Sequence, residues 1–83
     1  MKYRKKPIIV EAVQYTGENF ETEIEPFCSI AKERDFPVRH LTINSVYGHP
    51  CDYVVKNADN FYPVRKIVFE ETYELVEEND TSL

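Results

Sequence analysis

Residues 7–15, Pro-Ile-Ile-Val-Glu-Ala-Val-Gln-Tyr, alternate. Ile8, Val10 and Ala12 fall on one face of an extended chain, and Ile9, Glu11, Val13 and Tyr15 fall on the other. β-Branched side chains dominate the run, which suits a pleated surface better than a helix. Its pattern predicts a strand buried on one side and half buried on the other. Pro7 stands at its start, where a strand tolerates a missing N–H, and Thr16-Gly17 ends it.

The same alternation returns several times. Residues 38–47 place Leu41, Ile43, Ser45 and Tyr47 on one face and Val38, His40, Thr42 and Asn44 on the other, before a turn at Gly48-His49-Pro50. Residues 52–56 and 61–64 read as a hairpin around the loop Asn57-Ala58-Asp59-Asn60, and residues 72–76 as a last strand. Residues 65–71 are ambiguous, because Val64, Ile67, Val68 and Glu71 would also suit one or two helical turns. One stretch has helical spacing throughout. Phe20, Ile24, Phe27 and Ala31 form an apolar stripe, and Thr22-Glu23-Ile24-Glu25 matches a capping box, which predicts a helix over about 22–33. Pro26 in its first turns removes a donor and bends it, and Asp35-Phe36-Pro37 reads as a turn. The pattern predicts a single α+β domain over residues 1–76. It would be a small, mostly antiparallel sheet of about four to five strands with one helix packed on a face, followed by a flexible acidic tail at 77–83.

At 83 residues there is room for one core, and a small one, so the expected stability is marginal. No apolar run approaches the roughly 20 residues that span a bilayer. The basic start at Lys2, Arg4, Lys5 and Lys6 is not followed by a clean apolar stretch or a small-residue cleavage site, so a cytoplasmic protein is expected. Cys28 and Cys51 are too few and too far apart for a disulfide scaffold, and both are expected to be reduced core thiols. The net charge of −5 argues against general nucleic-acid affinity, although an acidic chain can still offer a local anion site.

The catalytic inventory is thin. No Gly-x-Ser-x-Gly phrase is present, only Gly17 and Gly48 are available for sharp turns, and nothing in the spacing brings Cys28 or Cys51 to His40 or His49. A zinc site needs two close ligand pairs, and His49 with Cys51 would supply only one, so no metal or cofactor is expected. The one confident helix begins among Glu residues that would repel a phosphate. The basic and aromatic groups are more informative. If the first strand and the late hairpin pair in one sheet, Arg4, Lys6, Tyr15, Tyr53, Tyr62 and Arg65 converge on a surface able to grip an anionic or acidic partner.

The phrases Tyr3-Arg4-Lys5-Lys6-Pro7 with Glu11-Ala12-Val13-Gln14, then Asp52-Tyr53-Val54-Val55, Tyr62-Pro63, Phe69 and Thr72-Tyr73-Glu74, resemble those of a family of small uncharacterised proteins encoded by tailed phages and prophages. The likeness covers roughly residues 2–17 and 45–76. Cys51 stands where that family usually has Gly, which suggests a turn without positive φ here, and Tyr15 stands where an aromatic, often Trp, follows the Gln. The resemblance implies a phage accessory protein in the bacterial cytoplasm and no particular reaction. Two functions follow as expectations. The first is a non-enzymatic module that binds a host or phage protein, as an inhibitor of it. The alternative is a protein that holds a small anionic ligand such as a nucleotide signal. Eleven aromatic residues in so short a chain also lead to the expectation of a homodimer.

Overall fold

The computed structural model describes residues 2–5 and 8–76. The chain is an α+β domain made mostly of antiparallel sheet. Its central element is the predicted first strand, β2 (Ile8–Gln14). β1 (Lys2–Lys5) pairs with one edge of it, and β6 (Tyr53–Asn57) with the other. β7 (Asn60–Val64) and β8 (Glu74–Val76) complete a five-stranded sheet in the order β7-β6-β2-β1-β8. A second sheet of three strands, β3 (Lys32–Arg34), β4 (His40–Ile43) and β5 (Val46–Gly48), packs over it.

β2 is buried on the face of Val10 and Ala12 and partly buried on the other, where Val13 is half-buried and Glu11 exposed, because the domain has a layer on each side. Val10 and Ala12 meet Tyr53, Val55 and Phe69, the last from helix α2 (Lys66–Thr72). Val13 and Tyr15 meet Ile24, Cys28, Ala31, Leu41, Ile43 and Val54. Two small cores thus share one sheet. Where the second sheet closes on the first, Gly48 leaves room for Pro63, because a Cβ at position 48 would sit 3.1 Å from the proline Cβ.

The expected helix over 22–33 forms only in its first part. A π-helical turn at Phe20–Ile24 runs into one α-helical turn, α1 (Glu25–Phe27), and Cys28 is already extended at φ −139°. Pro26 has no N–H to give, and residues 32–34 are taken by β4 as an edge strand instead. The stripe itself is real: Ile24 and Ala31 are buried in one cluster, with Phe20 and Phe27 packed against it. Asn19, rather than a Thr22 capping box, organises the start. Its amide donates to the Gln14 carbonyl and to Glu23, both at 2.8 Å, and its oxygen accepts the Thr16 amide at 2.9 Å.

The run 38–47 is a hairpin rather than one strand. Asn44 and Ser45 turn the chain with φ of 51° and 68°, the left-handed pair that matches the twist of a two-residue hairpin. The second hairpin agrees with the sequence reading, closing at Asn57↔Asn60 around Ala58. Residues 66–72 take the helical option, but the buried side chain is Phe69 while Ile67 and Val68 face outward. The basic start, read as a lead-in, is a strand. The tail at 77–83 lies outside the described residues, as does Lys6. No helix among the described residues is long and apolar enough to cross a membrane.

Candidate functional site

The six residues singled out from the sequence do not form one surface. Arg4 lies in β1, in register with Ile9 and Glu74. Lys6 is outside the described residues. Tyr15 is fully buried, and its hydroxyl donates to Glu33 at 2.6 Å. Tyr53 is buried in the opposite core, with its hydroxyl on Glu70 at 2.9 Å. Tyr62 is half-buried against the same core, and Arg65 is exposed. The expected pairing of the first strand with the late hairpin forms, β2 against β6, but it does not bring Arg4 of β1 to the far strand of that hairpin. β2 and β6 stand between β1 and β7, which at about 4.8 Å per strand puts the two roughly 14 Å apart.

What the sheet does bring together is Tyr53, Tyr62 and the start of α2. Tyr53 is in register with Val64, and Arg65 follows directly. The helix is seated by one ring. Phe69 stacks on Tyr53 at 4.1 Å and on Tyr73 at 4.8 Å, and Tyr3 meets it edge-on at 4.8 Å. Tyr62 also sits close to Tyr73, whose phenol is pushed up by burial and then by the neighbouring Tyr62 hydroxyl. Tyr53 is a core group whose hydroxyl is held by Glu70, and Tyr3, Tyr62 and Tyr73 are half-buried against it.

Asp52 shapes the exposed side. One carboxylate oxygen accepts the His49 amide at 3.0 Å, and the other accepts the Lys66 amide at 3.3 Å. The first turn of α2 contains no acidic residue of its own, and Arg65 offers no side-chain cap, so Asp52 serves the positive end of the helix from across the turn. Lys66 donates to Glu70 at 2.9 Å, and Glu70 also holds Tyr53. The two donors, Lys66 first, hold the Glu70 carboxyl below the usual carboxylate range, and the same contact raises the Lys66 ammonium. Arg65 makes no ion pair among the described residues.

Arg65, Lys66, Ile67, Val68 and Asp52 line an open cleft of about 460 Å³. Ile67 is 70% exposed and Val68 50%. Such a surface can take an acidic group at Arg65 and cover an apolar one on Ile67 and Val68. It holds no base-and-nucleophile pair. The cysteines are both free and lie apart, Cys28 in the core with its thiol pushed up by burial, and Cys51 at the surface. Cys51 therefore corrects two expectations: it is not a core thiol, and its turn does need positive φ, at 82°. Among the described residues, no three His, Cys, Asp or Glu side chains gather to hold a metal ion.

The sequence does not single out Asp52, Ile67 or Val68 as site residues. The one signal for them is the order Arg-Lys-Ile-Val, two cations followed by two apolar groups, directly after the hairpin. Compared with protein-family models, with curated proteins and with solved structures, the chain has no match.

Proposed function

We propose that this is a non-enzymatic accessory protein of phage or prophage origin, acting in the bacterial cytoplasm, that docks on an acidic surface of a host or phage protein and inhibits it. The observation that supports this reading is the exposed Arg65 guanidinium, without a carboxylate among the described residues, beside two outward-facing aliphatic side chains. An arginine that keeps its fork free is suited to bidentate pairing with a partner's carboxylate. Exposed Ile and Val next to it supply the apolar contact that such a pair needs to exclude water. Arg4 enters on the resemblance of the opening phrase.

The test is capture from a host lysate with wild-type protein and with the Arg4→Glu, Arg65→Glu double variant. The expected result is loss of the captured partner with a melting temperature close to wild type, the exposed Arg65 charge contributing only about 0–1 kcal/mol to folding. Capture at wild-type yield by the double variant refutes this surface. The chain is further expected to self-associate as a two-fold dimer. Phe36, 87% exposed, and Val38 both lie on the β3–β4 connection and offer apolar surface that a second copy would cover. Sedimentation at micromolar concentration is expected to give a dimer for wild type and a monomer for Phe36→Ser.

A further inference from the structure

The outer face of the three-stranded sheet has a composition unlike the rest of this acidic chain. Lys32, Thr42 and Tyr47 lie in one row across β3, β4 and β5, and Arg34 is in register with His40 in the next. Alternation sends their neighbours inward: Leu41 and Gly48 are buried, and Glu33 accepts the Tyr15 hydroxyl. The carboxylate nearest in sequence to Arg34 on the outside, Asp35, is engaged by Arg39 at 3.3 Å. Lys32 and Arg34 are exposed and make no ion pair among the described residues. In a protein of net charge −5, this face therefore presents two unopposed cations.

An aromatic ring and several polar groups accompany them. Tyr47 is 65% exposed, and its ring rests against His40 with centroids 5.2 Å apart. The tight turn at Asn44 and Ser45 sets those two side chains at the rim, and with Thr42, Ile30, Lys32 and Tyr47 they line a cleft of about 460 Å³. Lys32 and Tyr47 are separated by one strand, about 10 Å between backbones. A ligand that satisfies both carries negative charge at one end and a flat ring at the other, with hydroxyl groups between. An acidic peptide side chain has the charge without the ring.

We propose that this face binds a nucleoside phosphate, either free or as a unit of a single strand. The base stacks on Tyr47, the phosphate meets Lys32 with Arg34 beside it, and the sugar edge faces Thr42, Asn44 and Ser45. Any base has a π-face for Tyr47 to stack on, and a phosphate oxygen accepts from the lysine ammonium. The site is independent of the Arg65 surface, which lies on another sheet and helix.

The test is an amide chemical-shift titration of the full chain with AMP, adenosine, inorganic phosphate and an oligothymidine single strand. AMP or the oligonucleotide is expected to give saturable shifts at Lys32, Thr42, Asn44 and Tyr47, with adenosine and phosphate each weaker. Tighter binding of the oligonucleotide assigns the site to strands, and tighter binding of AMP assigns it to free nucleotides. Tyr47→Ala and Lys32→Glu are each expected to weaken binding by about fivefold or more. Tyr47→Phe keeps the ring, and the Arg4→Glu, Arg65→Glu double variant leaves the face intact, so both stay within about twofold of wild type. No saturation at about 1 mM ligand, an equal response to phosphate alone, or undiminished binding by Tyr47→Ala overturns the proposal. The double variant separates the two surfaces, because it loses protein capture and keeps nucleotide binding.

Discussion

Phe69→Ala is expected to remove about a quarter or more of the stability of this domain. A chain of 83 residues has about 4–12 kcal/mol in hand at the usual 0.05–0.15 kcal/mol per residue. Emptying a buried phenylalanine site costs about 3–5 kcal/mol, the lost transfer energy plus the cavity. Phe69 has no exposed surface and is the one buried residue of α2, so no other side chain of the helix packs into the core. Its neighbours, Tyr3, Tyr53 and Tyr73, come from β1, β6 and the link to β8, so the ring ties three parts of the large sheet together. These rings cannot close the gap without leaving their own partners: Tyr53, for one, is anchored to Glu70 through its hydroxyl. The check is urea unfolding followed by far-UV circular dichroism. Phe69→Leu, which refills most of the volume, is expected to recover part of the loss, and Tyr62→Ala, at a half-buried site, to cost less. A midpoint for Phe69→Ala equal to wild type would mean that α2 is not docked through this ring.

Loss of α2 would also dismantle the candidate surface, because Arg65, Ile67 and Val68 are placed only by the docked helix. This separates the roles of the residues that the sequence grouped together. The strands were legible because alternation is a local property: β2, β6 and the hairpin at 57–60 follow from neighbours in the chain. The break at Asn44-Ser45 was not, since the pair lacks the glycine that usually marks such a turn and the alternation runs on across it. The stripe at Phe20, Ile24, Phe27 and Ala31 identified a buried face correctly but not its backbone. A proline and the demand of β4 for an edge partner shorten the helix to single turns.

The tyrosines mark the limit of sequence reasoning about the site. A phenol is at home in a core or at an interface, and what decides is whether a partner waits inside for its hydroxyl. For Tyr15 and Tyr53 those partners, Glu33 and Glu70, lie 18 and 17 residues away in sequence. Only the fold brings them within reach. The exposure of Arg65 was legible because an arginine in a turn has few inward options, whereas the separation of Arg4 from it depended on strand order, which alternation does not encode.

Tyr15→Ala is expected to be as damaging as the loss of Phe69, in the other core. Tyr15 is fully buried beside Ile24, Cys28, Leu41 and Val54, and its backbone extends the ladder to the 51–52 turn through bonds of 2.6 and 2.8 Å. Truncating it costs about 3–5 kcal/mol in packing and leaves the half-buried Glu33 without its donor. Tyr15→Phe separates the two contributions. It keeps the ring and removes only the hydroxyl bond to Glu33, where a bond to a charged acceptor is worth about 1.5–3 kcal/mol at most, and partial exposure of Glu33 puts it at the lower end. The pH dependence then reports on how strongly the fold holds this phenol protonated. Burial first, then the bond to Glu33 and its charge, push the Tyr15 phenol above its ordinary value near 10, and Tyr53 is raised by burial and by Glu70. A phenol whose folded value is raised stabilises the fold fully below the unfolded value, and that contribution is lost as pH rises through the folded one. Wild-type protein is therefore expected to lose stability above about pH 10, as the raised phenols of Tyr15, Tyr53 and Tyr73 favour the protonated folded form less and less. Tyr15→Phe has one such phenol fewer, so its stability should fall less steeply over the same alkaline range even though it starts lower at neutral pH. Urea midpoints of both proteins measured across that range check this. Parallel curves would show that the fold does not raise the Tyr15 phenol.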